Sequence, residues 1–168
     1  MIAATLFPIL RRHAESLALA YLGVRVLEGA ILSLSYVAQL LRVHLSQPSV
    51  EGGRWDAVAD PLGDLLGSVD DWAGTTGLLY LVTFCLGSLV LFTVLYRARL
   101  VPRPLAGWGL LAAVVLLVGT ILATLDLAGP PAGAGLQLAF AAPIATAELL
   151  LAGWLVLRGF DASATAPQ

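Results

Sequence analysis

Three charged residues of this 168-residue chain lie well inside long apolar stretches, where a charge is costly and usually has a function, whereas Asp126 lies at the outer end of its stretch. Arg25 and Glu28 lie in the first long apolar stretch, and Glu148 lies in the last. Helical residues three or four positions apart share a face, so Tyr21, Arg25 and Glu28 are neighbours. We predict that Tyr21, Arg25, Glu28 and Glu148 form a polar cluster. It either binds a ligand, an ion or a proton, or only holds two helices together.

The depths of the three charges in their helices favour this cluster. At about 1.5 Å per residue, Arg25 lies roughly 12 Å from the inner end of its helix, Glu28 roughly 17 Å and Glu148 roughly 15 Å. One guanidinium against two carboxylates leaves one negative charge, which a proton or a bound cation would neutralise.

The polar face continues along both helices, which are therefore predicted to be neighbours. On the first helix it consists of Tyr21, Arg25, Glu28, Leu32, Ser35 and Gln39. On the last helix it consists of Gln137, Ala141, Ile144, Glu148 and Ala152, with a kink expected at Pro143.

The helices that position these residues follow from composition. Hydrophobic residues make up 59% of the chain and charged residues 12%, against roughly 25% charged residues in soluble domains. About 20 apolar residues are needed to cross a bilayer, and the stretches 17–41, 77–96, 105–127 and 136–157 qualify. We predict an all-α, polytopic membrane protein: a single membrane domain over residues 1–168 that is a four-transmembrane-helix bundle, with a disordered tail at 161–168.

The arginines predict the orientation, because the chain contains no lysine. Six of the nine arginines flank the spans on the side of the termini, namely Arg11, Arg12, Arg97, Arg99, Arg103 and Arg158. Arg42 and Arg54 lie on the other side, so the positive-inside rule predicts that both termini are cytoplasmic. We expect Arg97, Arg99 and Arg103 to attract anionic lipid headgroups, which makes membrane lipids the expected partners.

The outer segment, residues 42–76, is acidic. Asp60-Pro61 has the pattern of a helix start, and apolar residues recur at helical spacing from there. We predict a short amphipathic outer helix over 61–69 at the membrane surface. Its acidic residues Asp56, Asp60 and Asp64 are interpreted as a solvated face, since they lack the dense loop pattern of a calcium site.

Several kinds of chemistry are not indicated. A net charge of −2 provides no basic surface for nucleic acid. Cys85 is the only cysteine, and His13 and His44 are expected at opposite membrane faces. No P-loop, Gly-x-Ser-x-Gly or His-Glu-x-x-His motif is present. We therefore predict no metal and no cofactor, and we favour a protein that is not an enzyme.

Three separated blocks resemble the bacterial domain-of-unknown-function family number 4386. The blocks are Phe7 to His13 with Arg25 to Glu28, the arginine-rich stretch Tyr96 to Gly109, and Pro143 to Glu148 with Trp154 to Phe160. The resemblance implies a small multi-spanning protein of the bacterial inner membrane without an assigned activity. It also implies further apolar segments upstream, so residues 2–10 are interpreted as the inner end of a helix or as an interfacial segment. Arg25, Glu28 and Glu148 lie within these blocks.

Three functions remain open at this point. The first is a non-enzymatic helical bundle that binds a partner, a lipid or a small ligand around the cluster, with a homo-oligomer or another membrane protein as possible partners. The second is a small proton- or ion-coupled transporter subunit that uses the same residues. The third is an intramembrane enzyme, although no nucleophile or metal set is visible. Water access to Glu148 would distinguish a transporter from a packed bundle.

Overall fold

The structure is a computed structural model that describes residues 6–8, 10–11, 14–45, 56–125 and 134–160. The described residues contain helices and no strand. The predicted tail at 161–168 lies outside them. Five helices are described from end to end: α1 (Glu15–Leu45), α2 (Asp56–Ala73), α3 (Leu78–Ala98), α4 (Arg103–Thr124) and α5 (Ala134–Leu157).

Four helical stretches are long and apolar enough to cross a membrane: Glu15–Leu45, Asp60–Ala98, Arg103–Thr124 and Ala139–Leu157. The second of these includes most of α2, the turn that follows it and α3. The predicted all-α fold, with four helices that are long and apolar enough to span a membrane, is confirmed.

Contacts divide the chain into two compact units. Unit 1 contains Met1–Arg25 and Val82–Gln168, and unit 2 contains Val26–Leu81. Helix α1 continues without a break through the division, so its first part belongs to unit 1 and its remainder to unit 2.

Small residues bring the helices of unit 1 close together, as their enrichment in α4 predicts. Gly109 faces the ring of Phe92 on α3, and Gly119 faces the ring of Phe140 on α5. A Cβ at either glycine would overlap the ring. The other buried residues of α4 are Ala106, Ala112, Ala113, Leu116 and Thr120.

The connection between α3 and α4 contributes to the core of unit 1. Leu100 and Val101 are 0% and 3% exposed, although both belong to a loop. Arg99 has a positive φ of 54°, and the amide of Leu100 donates to the carbonyl of Leu95. This is the six-to-one hydrogen bond of a Schellman ending. The sequence predicts the loop, but not that its apolar residues are buried.

Helix α2 of unit 2 begins earlier than predicted, at Asp56 rather than at Asp60-Pro61. Pro61 lies inside the helix, where its missing N–H leaves one backbone carbonyl without its helical partner. The residues before it include alanines at 57 and 59, and alanine has the highest helix propensity. One additional turn therefore forms in front of the proline.

Helix α5 also differs in detail from its prediction. It continues through Pro143, and its buried side consists of Ile144, Ala147 and Leu151. Ala152, which was expected on this face, is exposed. The buried face is therefore rotated by one residue, because Leu151 has more apolar surface to bury than Ala152.

Candidate functional site

Arg25 lies in unit 1 beside two aromatic rings. Its guanidinium carbon is 5.4 Å from the ring centroid of Tyr21, one turn earlier on α1, and 5.4 Å from that of Phe84 on α3. Both distances are within the range of a cation–π interaction, which is stronger when the cation is removed from water. Tyr21 is buried and Arg25 is half-buried, so the structure brings together two of the four predicted cluster residues.

Gly87 on α3 provides space for the arginine. A Cβ at this position would lie 3.3 Å from Cγ1 of Val24 and 3.5 Å from Nε of Arg25. An alanine Cβ here would still make an ordinary contact with the guanidinium, whereas a longer side chain would compete with it for space. The absence of a side chain at Gly87 therefore helps to set where the charge lies.

The two glutamates of the predicted cluster have different surroundings. Glu148 is half-buried on α5, next to the fully buried Ala147, and belongs to unit 1. Glu28 is 9% exposed and lies in the part of α1 that belongs to unit 2. Both have burial unusual for a carboxylate, which is rarely removed from water without a partner. That they share one site with Arg25 stays a prediction.

Ser88, next to Gly87, was not singled out by its sequence. It is fully buried, and its Oγ has no hydrogen-bond partner among the described residues. A buried hydroxyl left unpaired costs about 1–3 kcal/mol. A water molecule or a polar ligand atom would remove that cost. The hydroxyl is therefore a second polar feature of the part of α3 that carries Phe84 and Gly87.

A separate polar cluster lies in unit 2, where α2 contacts the carboxyl-terminal half of α1. Ser35 Oγ and Gln39 Nε2 both donate to Oδ1 of Asp70, at 2.5 Å and 2.8 Å. The hydrogen bond from Ser35 lowers the pKa of Asp70 most, followed by the bond from Gln39. Burial opposes these two effects, and the charge of Arg42 makes the smallest contribution, which also lowers the pKa. Asp70 therefore holds α2 against α1 as a carboxylate.

Arg42 approaches the same helix. Its guanidinium lies over Gly67, where a Cβ would be 3.4 Å from Cζ. The predicted polar face of α1 included Ser35 and Gln39, but nothing in the acidic pattern of the outer segment distinguished Asp70 as their partner.

The other acidic residues of α2 fit a solvated face. Asp60 and Asp64 are exposed, and the side chain of Asp56 lies outside the described ones. Among the described residues, no group of three or more histidine, cysteine, aspartate or glutamate side chains could hold a metal ion.

The arginines predicted to contact lipid headgroups separate into two groups. Arg99 and Arg103 line a cavity of about 490 Å³ in unit 1, whereas Arg97 is exposed and is not part of its wall. The sequence did not indicate that Arg158, which follows α5, joins the same wall. The remaining lining residues are Leu100, Val101, Pro102, Trp154, Gly159 and Phe160.

Comparison with known proteins gives one result. A family model described as a domain of unknown function, DUF4386, matches residues 1–159. No curated protein and no solved structure matches the chain.

Proposed function

Because the chain belongs to the DUF4386 family, whose description assigns no activity, we propose its function from the geometry: it is a non-enzymatic membrane protein that binds a small polar ligand at Arg25. The proposed site consists of Arg25, Tyr21 and Glu148, together with Glu28, which we include on its helical spacing from Arg25. The cell membrane, with both termini in the cytoplasm, is part of the proposal and rests on the distribution of arginines.

The position of Arg25 is the observation that carries this proposal. Tyr21 and Phe84 lie at 5.4 Å from its guanidinium carbon, and Gly87 leaves room for it. Aromatic rings beside a guanidinium hold it in place through cation–π attraction. A positioned cation of this kind can recognise the acceptors of a polar ligand. The unpaired Ser88 hydroxyl supports the proposal, because it offers a further donor on the same part of α3.

The charge balance favours a ligand that carries a positive charge as well. Two carboxylates and one guanidinium sum to one negative charge, which a cationic group of the ligand would neutralise. A zwitterion, with an anionic group for Arg25 and a cationic group for Glu148, satisfies both requirements. A second copy of the chain or another membrane protein could supply such groups in place of a small molecule.

A ligand site must be reached by water, whereas a structural ion pair need not be, and thiol labelling separates the two. We would prepare Glu148→Cys in a Cys85→Ala background and measure its reaction with a membrane-impermeant sulfonate reagent in native membranes. Ala152→Cys is the matched control, because it lies one turn further along α5 and is exposed on the outside of unit 1.

We expect position 148 to react, and to react several-fold more slowly when Arg25→Gln is added, because the anionic reagent loses the attraction of the guanidinium. A cationic reagent should show the opposite change, and position 152 should show neither. Failure of position 148 to react would reduce the cluster to a structural contact. Equal reaction rates with and without Arg25 would show that position 148 does not lie near Arg25.

A further inference from the structure

Three arginines from two parts of the chain converge on the cavity of unit 1. Arg99 and Arg103 lie on the connection between α3 and α4, and Arg158 follows the end of α5. The cavity volume, about 490 Å³, is in the range of small-molecule sites. None of its lining residues is acidic. Positive charge is therefore concentrated on one wall without a carboxylate beside it.

The three guanidinium groups remain available to a ligand. In the part of the chain that the structure describes, none of them forms an ion pair. Arg158 lies 4.8 Å from the ring centroid of Trp154, and Arg103 lies 5.8 Å from that of Tyr96. Stacking on a ring orients an arginine while its N–H donors point outward in the plane.

The backbone is shaped to present two of these arginines. Arg99 has a left-handed φ of 54°, a conformation that is unfavourable for a residue with a side chain. Burial of Leu100 and Val101 holds it in this conformation. Gly159, with φ of 69°, turns the chain after Arg158 and brings Phe160 to the cavity wall. A strained residue that is held in place is typical of functional sites.

We propose that this cavity binds the phosphate group of an anionic membrane lipid. Guanidinium groups match phosphate oxygens with paired N–H donors, and the amino-terminal end of α4 adds the positive end of its dipole. The cavity lies where three apolar helices end, at Ala98, Arg103 and Leu157, which is the level of lipid headgroups. Leu100, Val101 and Phe160 provide an apolar wall for the part of the lipid beyond its phosphate.

The test uses the full chain in a neutral detergent, with thermal stability recorded during titration of short-chain phosphatidylglycerol. Short-chain phosphatidylcholine, with a zwitterionic headgroup, and inorganic phosphate are titrated in parallel. We expect phosphatidylglycerol to raise the melting temperature at concentrations at which the other two have no effect. Equal affinity for phosphatidylcholine would exclude recognition of an anionic lipid. Equal affinity for inorganic phosphate would show that the site binds a free anion, and the proposal of a lipid ligand would be wrong.

Four single variants locate the site. Arg158→Gln and Arg103→Gln should each raise the apparent Kd for phosphatidylglycerol about fivefold, the value for one arginine near an anionic surface. Arg97→Gln removes the same charge from an exposed position outside the cavity and should change it less than about twofold. If all three glutamine variants weaken binding equally, the lipid is attracted by net charge alone, and the cavity is not the binding site. Arg99→Gly, which fits the left-handed backbone, guards against loss of folding and should also weaken binding.

Discussion

The polar cluster of unit 2 and the basic cavity of unit 1 differ in whether their charged groups have partners within the chain. Asp70 accepts hydrogen bonds from Ser35 and Gln39, so its carboxylate is occupied by its own chain. Arg99, Arg103 and Arg158 face a cavity with no carboxylate on its wall. The first arrangement connects two helices, and the second leaves charge for something outside the chain. Satisfied polar groups indicate a structural role, whereas grouped charges without a partner indicate a binding site.

Arg25 tests whether this distinction extends to the membrane-spanning part, and the largest effect is expected there. If Arg25 pairs with Glu28 and Glu148 as proposed, Arg25→Leu should lower the free energy of unfolding by about 3–5 kcal/mol, because it would leave both carboxylates in apolar surroundings without their cation. Glu148→Gln should cost clearly less, since Glu28 remains. Thermal or denaturant unfolding in detergent measures both.

The exposed pair Arg11–Glu15 provides the control for Arg25. Arg11→Leu removes the same charge from an exposed position of unit 1 and should cost no more than about 1 kcal/mol. If Glu148→Gln proves as damaging as Arg25→Leu, the predicted cluster is wrong and Glu148 has another partner.

An intermediate effect is expected at Asp70. Asp70→Asn keeps one acceptor oxygen but removes the charge that both donors contact, and hydrogen bonds to charged groups contribute about 1.5–3 kcal/mol. A loss near 1.5 kcal/mol is expected at neutral pH, because Asp70 is partly exposed. Asp71→Asn is the matched control. The carboxylate of Asp71 is exposed, so this substitution should change the free energy of unfolding very little.

The stability difference between the wild type and Asp70→Asn should depend on pH, because folding lowers the pKa of Asp70. The pKa of Asp70 is lower in the folded protein than its ordinary value of 3.8, so its stabilising contribution is complete above that value and is lost as the pH falls through the folded pKa. The difference between the wild type and Asp70→Asn should therefore be constant from about pH 5 to pH 8 and should shrink in more acidic solution. A difference that grows on acidification would contradict the hydrogen-bonded carboxylate.

The smallest expected effect is a gain in stability, whereas the preceding substitutions lower it. Arg99→Gly removes the cost of a left-handed arginine, about 1–2 kcal/mol, but adds flexibility to the unfolded chain, about 0.5–1 kcal/mol. A net gain of about 0.5 kcal/mol in unfolding free energy is expected, together with weaker binding of phosphatidylglycerol. A purely structural arginine would give no such opposition between stability and binding. Unfolding and lipid titration of one preparation measure both.

The helices themselves were predictable, because apolar length alone determines which segments can cross a bilayer. The start of α2 was not, since Asp60-Pro61 matches a helix start locally while the chain before it forms one more turn. The buried face of α5 was also misplaced by one residue. In a helix that is apolar all round, periodicity gives little information about which side packs, and contacts with α4 decide it.

The candidate sites show the same division. Arg25 and Glu148 were identifiable because charges in apolar stretches are rare. The pairing of Asp70 with Ser35 joins residues 35 positions apart and depends on how α2 folds back on α1. Arg158 could be assigned to the side of Arg99 and Arg103 by counting arginines, but its place on the same cavity wall depends on the turn at Gly159.

The glycine and phenylalanine pairs of unit 1 have a consequence for how the protein can change during evolution. The ring of Phe140 occupies the volume that a side chain at position 119 would need, and Phe92 does the same at position 109. A larger residue at either glycine is tolerated only when the ring opposite it becomes smaller. Among related sequences, the two members of each pair should therefore vary together, with a small residue facing each large one.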